Sequence, residues 1–314
     1  MKNNKVLVTG GAGFIGSNLV KHLVENGNAV TVLDNFMSGY RSNLAPFPSV
    51  HIIEGDIRDK TTVEEAMHGA EVVFHLAASV GNKRSIDQPI MDAEINVLGT
   101  IQVLEAARKE GVRKIVVSSS AGIFGELKTM PIKEDHPIEP DSPYGCTKLC
   151  EEKLCLSYAK LYDIEAVCLR YFNVYGPNQR FDAYGNVIPI FVFRMLQNEP
   201  LIIYGDGEQT RDFVHVEDVV LANINAADSV GVNGAFNIAS GKSITINRLV
   251  EMIRIGNNNT IKIEHGPERP GDVRHSLADL SLAYQKINYS PTIDLEIGIT
   301  EYVKWASNTF SVHK

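Results

Sequence analysis

Three side chains near the middle of this 314-residue chain have types and spacing suited to proton transfer. Tyr144 and Lys148 are four residues apart, so they share one face if this segment is helical. An ammonium group beside a phenol favours the phenolate and lowers the tyrosine pKa from about 10. Such a tyrosine can exchange a proton with a substrate hydroxyl near neutral pH. Ser120, in the run Ser118-Ser119-Ser120, supplies a third polar group.

A glycine-rich segment near the N-terminus predicts a dinucleotide site. Gly10, Gly13 and Gly16 follow a short apolar run and overlap the start of an apolar helical pattern at Phe14 and Ile15. Glycines with this spacing, between a strand and a helix, let the backbone approach a pyrophosphate at the helix N-terminus.

An acidic residue at the end of the next predicted strand indicates which dinucleotide is bound. The strand Ala29–Leu33 is followed by Asp34. A carboxylate there accepts hydrogen bonds from the adenosine ribose hydroxyls and repels a 2′-phosphate. The sequence therefore predicts NAD rather than NADP.

Strands and helices must position these residues, and the apolar pattern of the sequence predicts that the two alternate along the chain. The pattern predicts strands at Val6–Thr9, Ala29–Leu33, His51–Glu54, Val72–Leu76, Ile115–Ser119 and Glu165–Arg170. It predicts helices at Phe14–Asn26, Thr61–His68, Asp87–Glu110 and Pro143–Tyr162. We therefore expect an α/β fold: a Rossmann-type doubly wound parallel sheet with a smaller α/β substrate-binding lobe. Residues 1–174 would form the NAD-binding domain, with returns near 213–240, and residues 175–314 mainly the substrate lobe.

Composition narrows the class of protein. The net charge of −8 argues against a nucleic-acid partner, and the apolar runs are too short to span a membrane. The N-terminus does not read as a signal peptide, so a cytoplasmic location is expected. The four cysteines and nine histidines lack metal-ligand spacing, so we expect buried free thiols and no metal site.

The motifs together resemble one enzyme family over nearly the whole chain. They are Thr9–Gly16, Asp34-Asn35, Gly55-Asp56-Ile57, His75–Ala78, Asn96, Ser118–Gly125, Tyr144–Lys148, Arg170–Asn173, Arg211–Phe213 and Arg269–Asp272. The chain is similar to nucleotide-sugar epimerases of the UDP-galactose 4-epimerase type, in the extended short-chain dehydrogenase/reductase superfamily. The resemblance implies inversion of C4 of a UDP-sugar through a transient 4-keto sugar, with tightly held NAD.

The resemblance also assigns roles to individual residues. Ser120, Tyr144 and Lys148 would form the catalytic triad; Tyr144 and Lys148 would also bind the cofactor, and Ser120 and Tyr144 would also contact the substrate. The cofactor site would further include Gly10, Gly13, Phe14, Ile15, Gly16, Asp34, Asn35, Ser38, Gly39, Asp56, Ile57, Leu76, Ala77, Ala78, Asn96, Ser118 and Tyr171. The UDP-sugar site would further include Asn173, Asn186, Val187, Ile202, Tyr204, Arg211, Arg269, Asp272 and Ser276. Helices 87–110 and 143–162 would pair two copies into a homodimer.

Two positions refine the expected reaction. Dehydratases and decarboxylases of this superfamily carry acidic residues after the catalytic hydroxyl, whereas Ala121 and Gly122 stand here, which favours epimerisation. Ser276 stands where relatives restricted to UDP-glucose and UDP-galactose carry tyrosine, so we also expect turnover of UDP-N-acetylglucosamine and UDP-N-acetylgalactosamine. A UDP-glucuronate 4-epimerase or another nucleotide-sugar enzyme remains an alternative. A non-catalytic NAD-binding protein is disfavoured because the triad is complete.

Overall fold

Strands and helices alternate along the chain in the computed structural model, which describes residues 1–180, 186–255, 261–268 and 273–312. The strands are β1 (Lys5–Thr9), β2 (Ala29–Asp34), β3 (His51–Glu54), β4 (Val72–His75), β5 (Lys114–Ser120), β6 (Glu165–Tyr171), β7 (Asn173–Tyr175), β8 (Leu201–Tyr204), β9 (Thr210–His215), β10 (Gly234–Ile238), β11 (Ser243–Thr245) and β12 (Ile263–Gly266). The helices are α1 (Phe14–Glu25), α2 (Lys60–Met67), α3 (Asn82–Asp87), α4 (Pro89–Ala93), α5 (Thr100–Glu110), α6 (Pro143–Leu161), α7 (Val187–Leu196), α8 (Val216–Asp228), α9 (Ile246–Ile255), α10 (Ser281–Ile287) and α11 (Leu295–Val312).

Seven of these strands form one parallel sheet in the order β10-β6-β5-β4-β1-β2-β3. The chain runs outwards from β1 through β2 to β3 and then crosses back to β4 on the other side of β1. Strand order therefore reverses between β1 and β4, and ligands of such sheets bind at the carboxyl ends of the strands there. The predicted Rossmann-type fold is confirmed.

Both faces of the large sheet are covered, which explains why its strands are continuously apolar. Leu7 belongs to one core cluster, together with residues of α2, α5 and α6. Its neighbours Val6 and Val8 belong to the opposite cluster, with residues of α1, α8 and α10. Successive side chains of a strand point to opposite faces, so a single run of valine and leucine serves both layers.

Two small sheets, β11-β9-β7 and β12-β8, lie outside the large one. They pack with α7, α9 and α11 around a separate core that includes Phe191, Leu249 and Tyr302. The chain also returns to the first lobe as expected, because β10 pairs with β6 and α8 packs on β5 and β6. The domain boundary at residue 174 stays a prediction.

The helix predicted over Asp87–Glu110 is confirmed from Pro89 to Glu110, where α4, a π-helical segment and α5 follow one another without a break, but its predicted start is two residues too early. Helix α3 begins earlier, at Asn82, and ends at Asp87, and Pro89 opens α4. Proline has no N–H to donate and its ring clashes with the preceding turn, so it begins a helix rather than continuing one. A π-helical segment, Glu94–Gly99, then joins α4 to α5.

Candidate functional site

The turn between β1 and α1 is so tight that two of its glycines have no room for a side chain. Gly10 has a φ of 71°, and a Cβ there would lie 2.7 Å from the Ala77 nitrogen. A Cβ on Gly16 would lie 2.2 Å from the carbonyl oxygen of Gly10. A Cβ on Gly13 would meet that same oxygen at 3.2 Å and no other neighbour within 4 Å. Gly10 and Gly16 therefore permit the turn itself, whereas Gly13 keeps the space beside the start of α1 open.

The residues around this open space fit a dinucleotide. Intrahelical bonds leave the first N–H groups of α1 free, and the helix dipole favours an anion there. Asp34 is buried at the end of β2, where it accepts hydrogen bonds from Ala12 N (2.9 Å) and Phe36 N (2.8 Å). Burial raises the pKa of Asp34. Each carboxylate oxygen keeps acceptor capacity for a ribose hydroxyl.

Polar groups predicted to flank the adenine lie on the loop after β3. The carboxylate of Asp56 accepts hydrogen bonds from the Arg58 guanidinium and from Asn35 Nδ2 (2.9 Å). These bonds, that of Arg58 foremost, lower the pKa of Asp56 to about 2. Ile57 is buried against Gly99, where a Cβ would lie 2.6 Å from Ile57 Cδ1. Gly55 N donates to Asp34 O (3.1 Å), which places the loop beside Asp34.

Two further loops close on the glycine turn. A Cβ on Gly39 would lie 2.6 Å from the carbonyl carbon of Ala12. After β4, Leu76 N donates to Thr9 O (3.1 Å) and Ala77 N to Thr9 Oγ1 (3.2 Å). The other cofactor residues predicted from the resemblance in these loops are Ser38 and Ala78.

The local sequence places Tyr144 in the first turn of α6. Ser142 caps this helix by accepting a hydrogen bond from Gly145 N (3.1 Å), and Pro143 occupies the first helical position. Lys148 follows one turn later on the same face. The helical pairing expected from the spacing is therefore present.

The strand β5 brings the predicted hydroxyl to the same place. Ser120 ends β5, and its Oγ accepts a hydrogen bond from Gly122 N (3.0 Å) and bonds to the phenol of Tyr144. Lys148 is buried, with its Nζ 3.5 Å from Ser118 Oγ on the same strand. The structure therefore brings Ser120, Tyr144 and Lys148 together at the carboxyl end of the sheet.

The prediction that the pKa of Tyr144 lies below its ordinary value is wrong. Burial is the largest influence and raises the pKa of Tyr144. The ammonium of Lys148 and the hydrogen bond from Ser120 lower it, as the sequence suggests, but by less. Burial of the phenol could not be seen in the four-residue spacing.

A buried ion pair that the sequence did not reveal holds α6 against the sheet. Both oxygens of Glu152 accept hydrogen bonds from the Arg170 guanidinium (2.8 and 3.0 Å), and Ser119 Oγ donates to the same carboxylate (2.9 Å). This network ties the helix of Tyr144 to β5 and β6. An arginine inside an apolar strand requires a buried partner, so Arg170 was the available signal.

Two predicted cofactor residues have their polar groups engaged within the protein. The amide of Asn96 accepts from Ser79 N (2.8 Å) and donates to Ser79 O (3.0 Å), which braces the loop after β4. The hydroxyl of Tyr171 donates to Asn223 Oδ1 (3.0 Å) on α8. Both residues are buried beside the site, and their contact with the cofactor stays a prediction.

Several predicted substrate residues border β9. Asn173 Nδ2 donates to Asp212 O (3.1 Å), and Arg211 lies on β9 itself. Ser276 is buried in a segment whose neighbours on both sides hydrogen-bond to the residues of β9. The remaining residues are Ile202 and Tyr204 on β8, Asn186 preceding α7 and Val187 opening it. Arg269 and Asp272 lie outside the described residues.

Comparison with known proteins identifies the family. The family described as "NAD dependent epimerase/dehydratase" matches residues 6–239. The chain belongs to the NAD-dependent epimerase/dehydratase family. It is 42% identical over 305 residues to a protein of Methanocaldococcus jannaschii named putative UDP-glucose 4-epimerase, which covers 96% of this chain and 98% of that protein.

Two solved structures are similar along the whole chain. One is a UDP-N-acetylglucosamine 4-epimerase from Methanobrevibacter ruminantium in complex with UDP-N-acetylmuramic acid, with a TM-score of 0.94 and 40% identity, covering 98% of this chain and 100% of that one. The other is a UDP-glucose 4-epimerase from Thermotoga maritima with UDP-glucose, with a TM-score of 0.93 and 38% identity, covering 98% and 99%.

These findings confirm the resemblance inferred from the motifs, NAD as the cofactor and the assignment as an NAD-dependent epimerase. Within the described ranges, no helix is long and apolar enough to cross a membrane, and no cluster of histidine, cysteine and acidic side chains is arranged to hold a metal. The four cysteines are free thiols, and Cys155 and Cys168 are buried as expected, but Cys146 is exposed and Cys150 is half-buried. The homodimer, the absence of a nucleic-acid partner and the cytoplasmic location stay predictions.

Proposed function

We propose that this protein inverts the configuration at C4 of UDP-hexoses, with UDP-glucose and UDP-galactose as one substrate pair. The observation that carries the proposal is the meeting of Ser120, Tyr144 and Lys148 at the carboxyl end of the sheet whose strand β1 leads into the dinucleotide turn. Bound NAD supplies a reversible acceptor for hydride, so the reaction needs no net oxidant. The protein's own side chains must then handle the proton of the sugar hydroxyl.

Tyr144 is the group that moves this proton. Its phenol is hydrogen-bonded to Ser120 and close to the Lys148 ammonium, and both lower the energy of the phenolate. The phenolate takes the proton from the C4 hydroxyl oxygen as the C4–H bond breaks, and the phenol returns a proton when that bond forms again on the other face. Ser120 orients the C4 hydroxyl of the sugar, and the ammonium of Lys148 stabilises the negative charge of the Tyr144 phenolate.

The diphosphate of the substrate requires cationic groups. Arg211 lies on β9 in the substrate lobe, and a guanidinium binds phosphate oxygens better than an ammonium does through its planar fork. The family resemblance adds Arg269 for the diphosphate and Asp272 for the uridine ribose. Asn173, which is fixed to the backbone of β9, supports a polar contact beside Arg211.

The size of the residue at position 276 supports a broader substrate range. Ser276 is small and buried beside β9, and the family resemblance assigns this position to the substituent on C2 of the sugar, where a serine would leave more room for an N-acetyl group than a tyrosine. We propose that the protein also interconverts UDP-N-acetylglucosamine and UDP-N-acetylgalactosamine.

A panel of UDP-sugars tests both statements. Purified protein is incubated with UDP-galactose, UDP-N-acetylgalactosamine and UDP-glucuronate separately, and the products are resolved by chromatography. Formation of the C4 epimers of the first two supports the proposal. Turnover of UDP-glucuronate alone would instead indicate a UDP-glucuronate 4-epimerase. Accumulation of an oxidised sugar with NADH would contradict epimerisation.

The substitution Ser276→Tyr tests the basis of the specificity. It is expected to lower turnover of the N-acetylated pair at least about 100-fold, the scale of about 3 kcal/mol for a lost fit, while UDP-galactose is still converted. Ser276→Ala, which leaves the space unfilled, is the matched control and should convert both pairs. Equal loss on both pairs in a folded Ser276→Tyr protein would remove Ser276 from the specificity argument.

A further inference from the structure

Glu151 is a buried carboxylate that the mechanism above does not use. It lies three residues after Lys148 on α6, and both side chains are buried. Glu151 Oε2 accepts a hydrogen bond from Lys148 Nζ at 2.5 Å. Within the described part of the chain, Glu151 Oε1 has no hydrogen-bond partner. A carboxylate is therefore held directly on the ammonium that supports the proposed acid–base residue.

The charged and titratable groups around Glu151 come from four elements. They are Tyr144, Lys148 and Glu152 on α6, His75 on β4, Asp92 on α4 and Cys168 on β6. The distance from His75 Nε2 to Glu151 Oε1 is 3.8 Å. Burial lowers the pKa of His75 to about 3, so the ring is neutral. Glu152 is compensated by Arg170. The positive charge that balances Glu151 is therefore that of Lys148.

Other nearby groups do not add charge at neutral pH. Burial raises the pKa of Cys150 and of Tyr171. A hydrogen bond with Cys155, together with burial, raises the pKa of Cys168 well above its usual value. The charged groups that act on Tyr144 are therefore Lys148, which lowers its pKa, and Glu151 and Asp92, which raise it.

The charge of Glu151 opposes what Lys148 does for Tyr144. When Glu151 is ionised, the pair is close to neutral overall, and Glu151 itself raises the pKa of Tyr144. When Glu151 is protonated, the full ammonium charge acts on the phenol. Burial, more strongly than Lys148 opposes it, raises the pKa of Glu151.

We propose that Glu151 is a positioning residue whose carboxylate holds the Lys148 ammonium and whose charge controls how readily Tyr144 gives up its proton. The proposal rests on the acid–base role of Tyr144 under the proposed function. It assigns Glu151 no contact with the sugar or with NAD. The carboxylate acts through Lys148 and through space.

The expected size of the effect follows from the helix. Tyr144 and Glu151 are seven residues apart, or about 10.5 Å along the axis. Unit charges at that separation, with an effective dielectric constant of about 20, shift a titration by about one pH unit. Removing the Glu151 charge should therefore move the Tyr144 titration down by about one unit.

The test compares Glu151→Gln with wild-type protein carrying its bound cofactor. The rate of UDP-galactose epimerisation is measured against pH, and tyrosinate formation is followed by ultraviolet difference absorbance with Tyr144→Phe as the blank. Both the acidic limb of the rate profile, where the rate rises as Tyr144 is deprotonated, and the Tyr144 titration are expected to move down by about one pH unit. Glu105→Gln removes the same charge from a partly exposed position on α5 and should move neither.

Each outcome decides the proposal. A folded Glu151→Gln protein with an unchanged Tyr144 titration would overturn it. Glu151→Leu also deletes the charge and should shift the titration in the same direction, and failure of both variants to fold would assign Glu151 a purely structural role. The absorbance titration needs no substrate, so it is separate from the proposed function, which fails instead if Tyr144→Phe remains active.

Discussion

Replacing each of two glycines of the dinucleotide turn by alanine should change different properties: Gly16→Ala mainly the free energy of unfolding, and Gly13→Ala mainly the affinity for NAD. In Gly16→Ala, the new Cβ would lie 2.2 Å from the carbonyl oxygen of Gly10 and 2.8 Å from the Cα of Gly11. Both neighbours are backbone atoms and cannot rotate away. In Gly13→Ala, the nearest atom is the same Gly10 oxygen at 3.2 Å, which a shift of a few tenths of an ångström relieves.

The expected magnitudes follow from these distances. Gly16→Ala must separate α1 from the turn by about 1 Å, and overpacking of this kind lowers the free energy of unfolding by about 2–3 kcal/mol. Gly13 precedes the first turn of α1 as its N-cap, so alanine there costs about 1 kcal/mol. Its Cβ enters the space proposed for the pyrophosphate and should weaken NAD binding at least about tenfold, or 1.4 kcal/mol.

The assay measures stability and cofactor separately. Urea unfolding of the cofactor-stripped proteins gives the free energy of unfolding, and calorimetric titration gives the NAD affinity. The wild-type protein should purify with NAD bound, and Gly13→Ala should purify largely without it although it is nearly as stable. Equal stability of the two variants, or wild-type NAD affinity in Gly13→Ala, would refute the assignment of the two glycines.

Two further predictions concern the scaffold of the site. Glu152→Gln leaves the buried Arg170 guanidinium without its counter-charge and should lower the free energy of unfolding by about 3 kcal/mol or more, whereas Glu105→Gln should cost less than about 1 kcal/mol in the same urea experiment; similar losses in both would contradict the bracing role. His75 has a folded-state pKa of about 3 and an unfolded one of about 6.5, so the unfolded state binds the extra proton and the contribution of His75 to stability falls as the pH falls below about 6.5, whereas the raised pKa of Glu151 acts in the opposite direction. As the pH falls from about 7.5 to about 5.5, this histidine lowers the free energy of unfolding by about 1.4 kcal/mol, and urea unfolding of His75→Gln should show that this loss is absent.

The parts of the site that the sequence predicted are those encoded by short-range patterns. The turn at Gly10, Gly13 and Gly16 and the pair Tyr144–Lys148 each lie within one strand-turn-helix unit or one helix, so spacing alone places them. The parallel sheet followed from runs of apolar residues that must be buried on both faces.

What the sequence could not show depends on contacts between distant segments. Glu152 and Arg170 are 18 residues apart and meet only because α6 packs on β6. The raised pKa of Tyr144 comes from burial by the surrounding fold, which residue spacing does not report. The start at Pro89 was different, because proline is favoured in the first turn of a helix and its position in the sequence indicated that the helix begins there rather than at Asp87.

The central claim is that Tyr144 moves the proton of the sugar's C4 hydroxyl. The most direct test is the turnover rate of Tyr144→Phe on UDP-galactose, measured together with its bound NAD. We expect a rate at least about 100-fold below wild type with NAD retained, because the phenol oxygen is lost while Lys148 and the glycine turn remain. Ser120→Ala, which removes a hydrogen bond but leaves the base, should lose less. A Tyr144→Phe protein that keeps NAD and turns over at close to the wild-type rate would contradict the account.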